Sequence, residues 1–444
     1  MLLKYIEFNG KHPKGYKDPE PNQQRRLYLD APRKGWKSYG ASYDPAFLKV
    51  DIDDFDHKNG EIEEPLHGKP RSDTIITILD SLGIRYNGIK TEHGKHLFFR
   101  VPQGKVIKVI GIIIGIIGIL IIGLYFYITA HPQIIVGVIQ NAMYQDAGPN
   151  SFEPIYTPGE GEKADGQYKI NDIAYGTEYP NSFLDITYPD TNREEDRPTL
   201  FYFHGGGFFG GSKNMGDPMA ASDSTALIDD LCAQGYNIVN VDYALVPEYH
   251  FPVPLIQMNE AIRFISEHKD EYNINMDKVI IMGSSAGAIM TAQYGAVISN
   301  PEYAALLSID PAINVEQVSA VVVDDAPIDY QNMTLLCKML VGNYVKGSIY
   351  LNKDELNKYE CIPYMTKDYP AAFLLGSEYR NDMNSMAEKL ETVGAHYVLV
   401  DPFAENGIAQ PHCFVAAERV DPVAEEAFKK LIGFLKERIL YKEH

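Results

Sequence analysis

KVIIMGSSAG, residues 278–287, joins an apolar strand to a sharp turn within a few residues. Val279–Met282 reads as a buried strand. Gly283-Ser284-Ser285-Ala286-Gly287 follows at once, and a helical stretch follows that. A G-x-S-x-G sequence between strand and helix lifts the serine hydroxyl out of the turn, and its glycines leave room where side chains would strike neighbouring backbone. Alone it is weak evidence, because small residues often end strands.

On either side of this turn, short apolar runs alternate with amphipathic stretches. TLFYFHGGG, YNIVNVDYA, VSAVVVDDAP, AAFLLGS and HYVLVDPF have strand character, whereas MNEAIRFISEH and DMNSMAEKLETVG repeat apolar residues at helical spacing. Such alternation predicts an α/β fold, a mostly parallel sheet with helices on both faces. A second motif, His204-Gly205-Gly206-Gly207, follows the strand Thr199–Phe203. Its Gly205 and Gly206 amides, with that of Ala286, are candidate donors to an oxyanion. Pro411-His412-Cys413-Phe414 comes after the last predicted strand, which makes His412 the candidate base for Ser285. The other histidines of this region, His204, His250, His268 and His396, lack that placement.

HGGGFFGGS, DYALVPEYHFP, GSSAG and PHCF, in that order, resemble the hormone-sensitive-lipase-like esterases and lipases over about residues 171–440. The resemblance implies an α/β-hydrolase fold and cleavage of small-molecule carboxylic esters through an acyl-enzyme. It also implies a cap supplied in part by Gln133–Glu162, and no metal or organic cofactor. The triad acid departs from the pattern. The family usually has an aspartate just after the strand that here reads Ala371–Gly376, but this chain has Ser377-Glu378-Tyr379-Arg380-Asn381-Asp382. Asp382 is the first choice, Glu378 the second, and Asp324 or Asp325 a third. The displaced acid also motivates an alternative, a catalytically silent hydrolase-fold binding protein. Acyl length and alcohol type depend on pocket shape, which fold analogy does not supply.

Upstream, Val109–Ala130 runs without a charge and is dominated by isoleucine. That length suits a transmembrane helix. Lys105 and Lys108 precede it and no Lys or Arg follows until Lys163, so the positive-inside rule predicts a signal-anchor with residues 131–444 outside the cytoplasm. The formal net charge of −20 falls almost wholly in the C-terminal two-thirds, which argues against nucleic acid as a partner of the hydrolase region. The four cysteines show no metal-ligand spacing, and free thiols are expected, with a Cys337–Cys361 bridge as the alternative.

Residues 1–103 carry another pattern. FLKVDIDD (47–54) puts Asp51 and Asp53 on one face of a strand, where carboxylates could hold Mg²⁺. TEHGKHLFF (91–99) then presents His96 on a later strand. In order, over about residues 38–101, these resemble the first two motifs of phage and plasmid primase-polymerase domains. The third motif, a further metal-binding aspartate, has no place before the apolar run. A truncated fragment without polymerase activity is expected, joined to the hydrolase by fusion of reading frames. A replication protein with an incidental hydrolase is the competing function.

Overall fold

The computed structural model describes residues 115–144, 148–155, 157–214 and 226–441 throughout. Before residue 115 it describes the backbone of short strands and helical turns. The chain divides into two units, Met1–Gly123 and Leu124–His444.

In the first unit β1 (Ile6–Glu7), β2 (Phe47–Asp53), β5 (Tyr86–Lys90) and β6 (Gly94–Arg100) form an antiparallel sheet in the order β1-β2-β6-β5. A separate two-stranded ribbon joins β3 (Phe55–Asp56) to β4 (Glu61–Ile62). The β2–β6 register sets Asp51 opposite His96 and Asp53 opposite Gly94. The side chains of Asp51, Asp53 and His96 lie outside the described residues.

The apolar run lies in a helix, Lys105–Ala130, followed after a break at His131-Pro132 by a second helix, Gln133–Tyr144. Pro132 has no N–H to continue the first ladder and disfavours helical backbone at the residue before it. A helix over the expected 109–130 is thus present, and the break falls after it. Among the described residues no single helix is long and apolar enough to cross a membrane, but Gly115–Ala130 and Gln133–Tyr144 meet the criterion as a pair bent by 66°.

The second unit is organised around a nine-stranded sheet. Its strands are β7 (Gly159–Glu162), β8 (Tyr168–Ala174), β9 (Phe183–Tyr188), β10 (Pro198–Phe203), β11 (Asn237–Val241), β12 (Asn275–Ser284), β13 (Val318–Asp324), β14 (Ala372–Leu375) and β15 (Tyr397–Val400). The order is β15-β14-β13-β12-β10-β11-β9-β8-β7. From β11 to β15 every pairing is parallel, and β7, β8 and β9 add antiparallel strands at one edge. The predicted α/β class is thus observed. One detail changes: Gly159–Glu162, expected to contribute to a cap, is the edge strand β7.

Parallel strands need cover on both faces, and their residues alternate between two cores. Phe201, Phe203, Ile281, Val321, Val323 and Leu374 face one core, shared with helices Val253–Glu267, Ala286–Ser299 and Arg380–Val393. Leu200, Tyr202, Ile280, Met282, Val322 and Phe373 face the other, shared with Thr225–Ala233 and Pro422–Tyr441. Helix Ala286–Ser299 is buried around nearly its whole circumference, which explains why it lacks an amphipathic pattern. All four cysteines are free and buried.

Close approach of backbone to backbone fixes the strand ends. A Cβ on Gly287 would lie 2.0 Å from the Phe203 carbonyl oxygen and 2.7 Å from that of His204; one on Gly283 would lie 2.3 Å from the Gly287 carbonyl carbon. Gly433, by contrast, has open space around it on the C-terminal helix. Gly287→Ala is expected to abolish the soluble folded domain. Gly433→Ala should raise the melting temperature by the equivalent of about 0.5–1 kcal/mol. Thermal melts of the two variants beside the parent chain check both outcomes.

Candidate active site

Ser285 sits between the end of β12 and helix Ala286–Ser299, with φ 54° and ψ −114°. A non-glycine residue with such a φ is strained and persists only where its surroundings hold it. Here its N–H donates to the Asp324 carbonyl oxygen at 2.8 Å, and Gly283 and Gly287 let the turn close. The strain aims the Ser285 hydroxyl away from the sheet and towards His412.

His412 lies on the loop between β15 and the C-terminal helix. Its Nε2 is 2.8 Å from Ser285 Oγ and its Nδ1 is 2.6 Å from Asp325 Oδ2. A carboxylate only accepts, so Nδ1 carries the proton and Nε2 is left to accept from the serine. The Tyr379 ring meets the imidazole edge-on at 5.2 Å and helps to fix its plane.

Asp325 follows the last residue of β13 and has φ 58°. Burial alone would push its carboxyl up. The donated hydrogen bond and charge of His412, together with the bonds from Ser377, instead hold it below the ordinary carboxylate range. The amides of Ser377, Glu378 and Tyr379 and the Ser377 hydroxyl all donate to its two oxygens.

This arrangement corrects the first choice of acid. Asp382 does not reach His412. Its Oδ1 accepts from the Ile328 and Asp329 amides, both at 2.8 Å, and so pins the chain that follows Asp325. Burial raises its pKa. Glu378 is 59% exposed, with Oε2 3.8 Å from His412 Nδ1, too long for a hydrogen bond. Asp324 turns the other way and accepts from Ser284 Oγ at 2.9 Å. The third option, Asp325, is the carboxylate in contact. The segment after β14, where an acid was sought, supplies amides that bind one.

The glycine loop stands beside the serine turn because β10 and β12 are paired neighbours, Phe203 opposite Gly283. Gly206 and Gly207 take φ of 102° and 58°, conformations that suit glycine. Gly287 against Phe203 and His204 brings the turn that carries Ala286 onto the start of the glycine loop. His204 is buried, stacks on Tyr243 at 4.2 Å, and donates from Nδ1 to the Gly205 carbonyl oxygen at 2.8 Å. Burial lowers its pKa to about 4, so it stays neutral and braces the loop.

Two supports of this loop escaped the sequence. Lys213, immediately after HGGGFFGGS, is fully buried, with Nζ 2.8 Å from Asp172, 3.4 Å from Asp185 and 3.6 Å from Asp242. Its backbone N–H also donates to Asp242. Burial pushes Asp242 up to about 7 even against that ammonium. The signal was present, since Asp242 opens DYALVPEYHFP, but the partners are distant in sequence. The second support is Gln140 of the Gln133–Tyr144 helix. Its Nε2 donates to the Phe209 carbonyl oxygen at 2.9 Å and to that of Val246 at 2.6 Å.

Comparison with known proteins finds esterases. A family model described as BD-FAE matches residues 184–385. An acetyl esterase of Salmonella paratyphi A is 23% identical over 257 residues, covering 54% of this chain and 72% of that protein. One from Salmonella paratyphi B is 24% identical over 260 residues, with the same coverage. The chain is a carboxylesterase-like hydrolase. Its fold is also that of esterase B from Lactobacillus rhamnosis, with a TM-score of 0.54 at 16% identity over 64% of this chain and 90% of that one. A structure of the same esterase with a tributyrin phosphonate inhibitor has a TM-score of 0.54 and covers 70% of this chain.

For this hydrolase the two aspartates separate cleanly. Asp325→Asn should lower kcat by about 10⁴-fold, because the imidazole loses its orienting carboxylate. Asp382→Asn should cost about 1–3 kcal/mol of stability with a far smaller fall in kcat. Steady-state kinetics and denaturant melts of both variants provide the check.

Proposed function

We propose that the chain is a serine carboxylesterase acting through an acyl-enzyme, with Ser285 as nucleophile, His412 as general base and Asp325 as the orienting acid. The observation that carries this is the continuous hydrogen-bonded series from Asp325 Oδ2 through both nitrogens of His412 to Ser285 Oγ. Ser285 attacks the acyl carbonyl while His412 Nε2 takes its proton. The Gly205, Gly206 and Ala286 amides donate to the oxyanion; losing one such donor typically costs about 10²–10³ in rate. The tetrahedral intermediate collapses as His412 protonates the departing alkoxide. Water, deprotonated by the same imidazole, then attacks the acyl-serine, and the carboxylic acid leaves. Asp325 stays ionised throughout and stabilises the imidazolium.

A short acyl group, acetyl first, is the proposed substrate class, on the strength of the acetyl esterases among the relatives. The proposal includes anchoring in a membrane through the charge-free stretch 109–130, with the hydrolase unit on the extracytoplasmic side. Lys105 and Lys108 support that orientation. For the first unit, the pairing of Asp51 with His96 in the β2–β6 register supports a primase-polymerase-like remnant.

The full chain is expected to turn over p-nitrophenyl acetate faster than p-nitrophenyl butyrate. Ser285→Ala should lose all but the residual catalysis that binding and the oxyanion donors supply, roughly 10³–10⁴ over water. Folded parent protein that hydrolyses neither ester would overturn the esterase proposal in favour of a silent binding protein.

A further inference from the structure

The Gln133–Tyr144 helix has two faces, and only one of them is covered by this unit. Val136 and Gln140 are buried against the hydrolase, and the Met143 methyl lies 2.9 Å from where a Cβ on Gly210 would stand. Through Gln140 this face holds the Phe209 carbonyl of the glycine loop and the Val246 carbonyl that lies beside it. Ile134, Ile135, Val138 and Ile139 lie on the other side, and all are exposed, Val138 by 68%. Residues at these offsets share one helical face. Leu124, Tyr125, Phe126 and Tyr127 of the preceding helix are exposed as well. Apolar surface of this extent on a soluble body marks an interaction site.

The chemistry of the stretch selects the occupant. From Val109 to Tyr144 there is no Asp, Glu, Lys or Arg. A protein-binding patch has a polar rim around its apolar centre; this one has no charge along its length, as hydrocarbon requires. Tyr125 and Tyr127 lie where the first helix ends, the position that amphipathic rings take at a bilayer surface. The bend of 66° at His131-Pro132 changes the direction of the chain there, as expected of a segment leaving a span to lie along the surface. The junction is tied to the hydrolase body: Ile349 N–H donates to the Thr129 carbonyl oxygen at 3.2 Å, and Thr129 Oγ1 bonds the Tyr350 hydroxyl at 3.0 Å.

We propose that the face formed by Ile134, Ile135, Val138 and Ile139 rests in the surface of a lipid bilayer, so that one helix has lipid on one side and the glycine loop of the active site on the other. The proposal rests on the anchoring put forward above but adds to it. The anchor fixes the hydrolase at the Thr129 junction alone, whereas this face adds a second contact with the membrane.

The test uses the full chain reconstituted in phosphatidylcholine vesicles, with a polarity-sensitive maleimide fluorophore placed in turn at Val138→Cys, Leu120→Cys and Val420→Cys. The four native cysteines are buried, which favours labelling at the introduced site. Val420, 94% exposed and remote in sequence from the apolar stretch, is the solvent reference. Nitroxide-bearing phosphatidylcholine is expected to quench most of the emission at Val138 and Leu120 and to leave Val420 bright. Quenching at Leu120 with none at Val138 would overturn the docking proposal while leaving the anchor intact. Quenching at Val138 alone would keep the docking face and remove the spanning anchor. No quenching at either site would remove both. A Val138 label that is shielded from water, unquenched by nitroxide lipid and cross-linkable to a second copy would assign the face to protein instead.

Discussion

Phe203 ends β10 and His204 follows it, and their carbonyl oxygens occupy the space a side chain at Gly287 would need. Because no side chain is there, the turn after β12 packs directly on the start of the glycine loop. Three consequences follow. Ser285 is forced into a positive φ and its hydroxyl leaves the sheet. The turn that carries Ala286 comes against the start of the glycine loop. The end of β13, paired with β12, comes level with the serine, and Asp325 enters the site from there.

The surroundings of the site are built to hold strained or charged groups still. Asp325 gathers donors from Ser377, Glu378 and Tyr379 before it meets His412, so its charge is stabilised in place. Behind the glycine loop, Lys213 meets three carboxylates in the interior. Removing one partner from a buried ion pair leaves an uncompensated charge and typically costs about 3–5 kcal/mol. Loss of any one member would therefore be felt at the end of the loop that Lys213 closes. Gln140 holds the neighbouring Phe209 carbonyl from the outside, and His204 braces the loop from within.

Local pattern carried much of this. Ser285, His412 and the glycine loop were legible because each sits at a strand end with residue types few other roles require. The acid was not legible, for a physical reason. In a parallel sheet adjacent strands end at one level, so a carboxylate after β13 is as close to His412 as one after β14. Asp324 and Asp325 are neighbours in VVVDDAP, and Asp325, with its positive φ, is the one that meets His412 while Asp324 meets Ser284. Asp382 drew attention by its position after the expected strand, yet its carboxylate secures backbone instead. The Lys213 cluster and Gln140 were hidden because their partners lie tens of residues away in sequence. The single helix over the apolar run was legible in its composition, and the break after it at His131-Pro132 in the proline.

The proposed mechanism requires that Ser285 Oγ form the acyl-enzyme. Fluorophosphonate treatment of the full chain, followed by proteolysis and mass mapping of the adduct, tests it most directly. A single adduct on the peptide that carries Ser285, lost in Ser285→Ala and strongly slowed in Asp325→Asn, is the predicted result. An adduct on another residue, or labelling undiminished by Ser285→Ala, would contradict it.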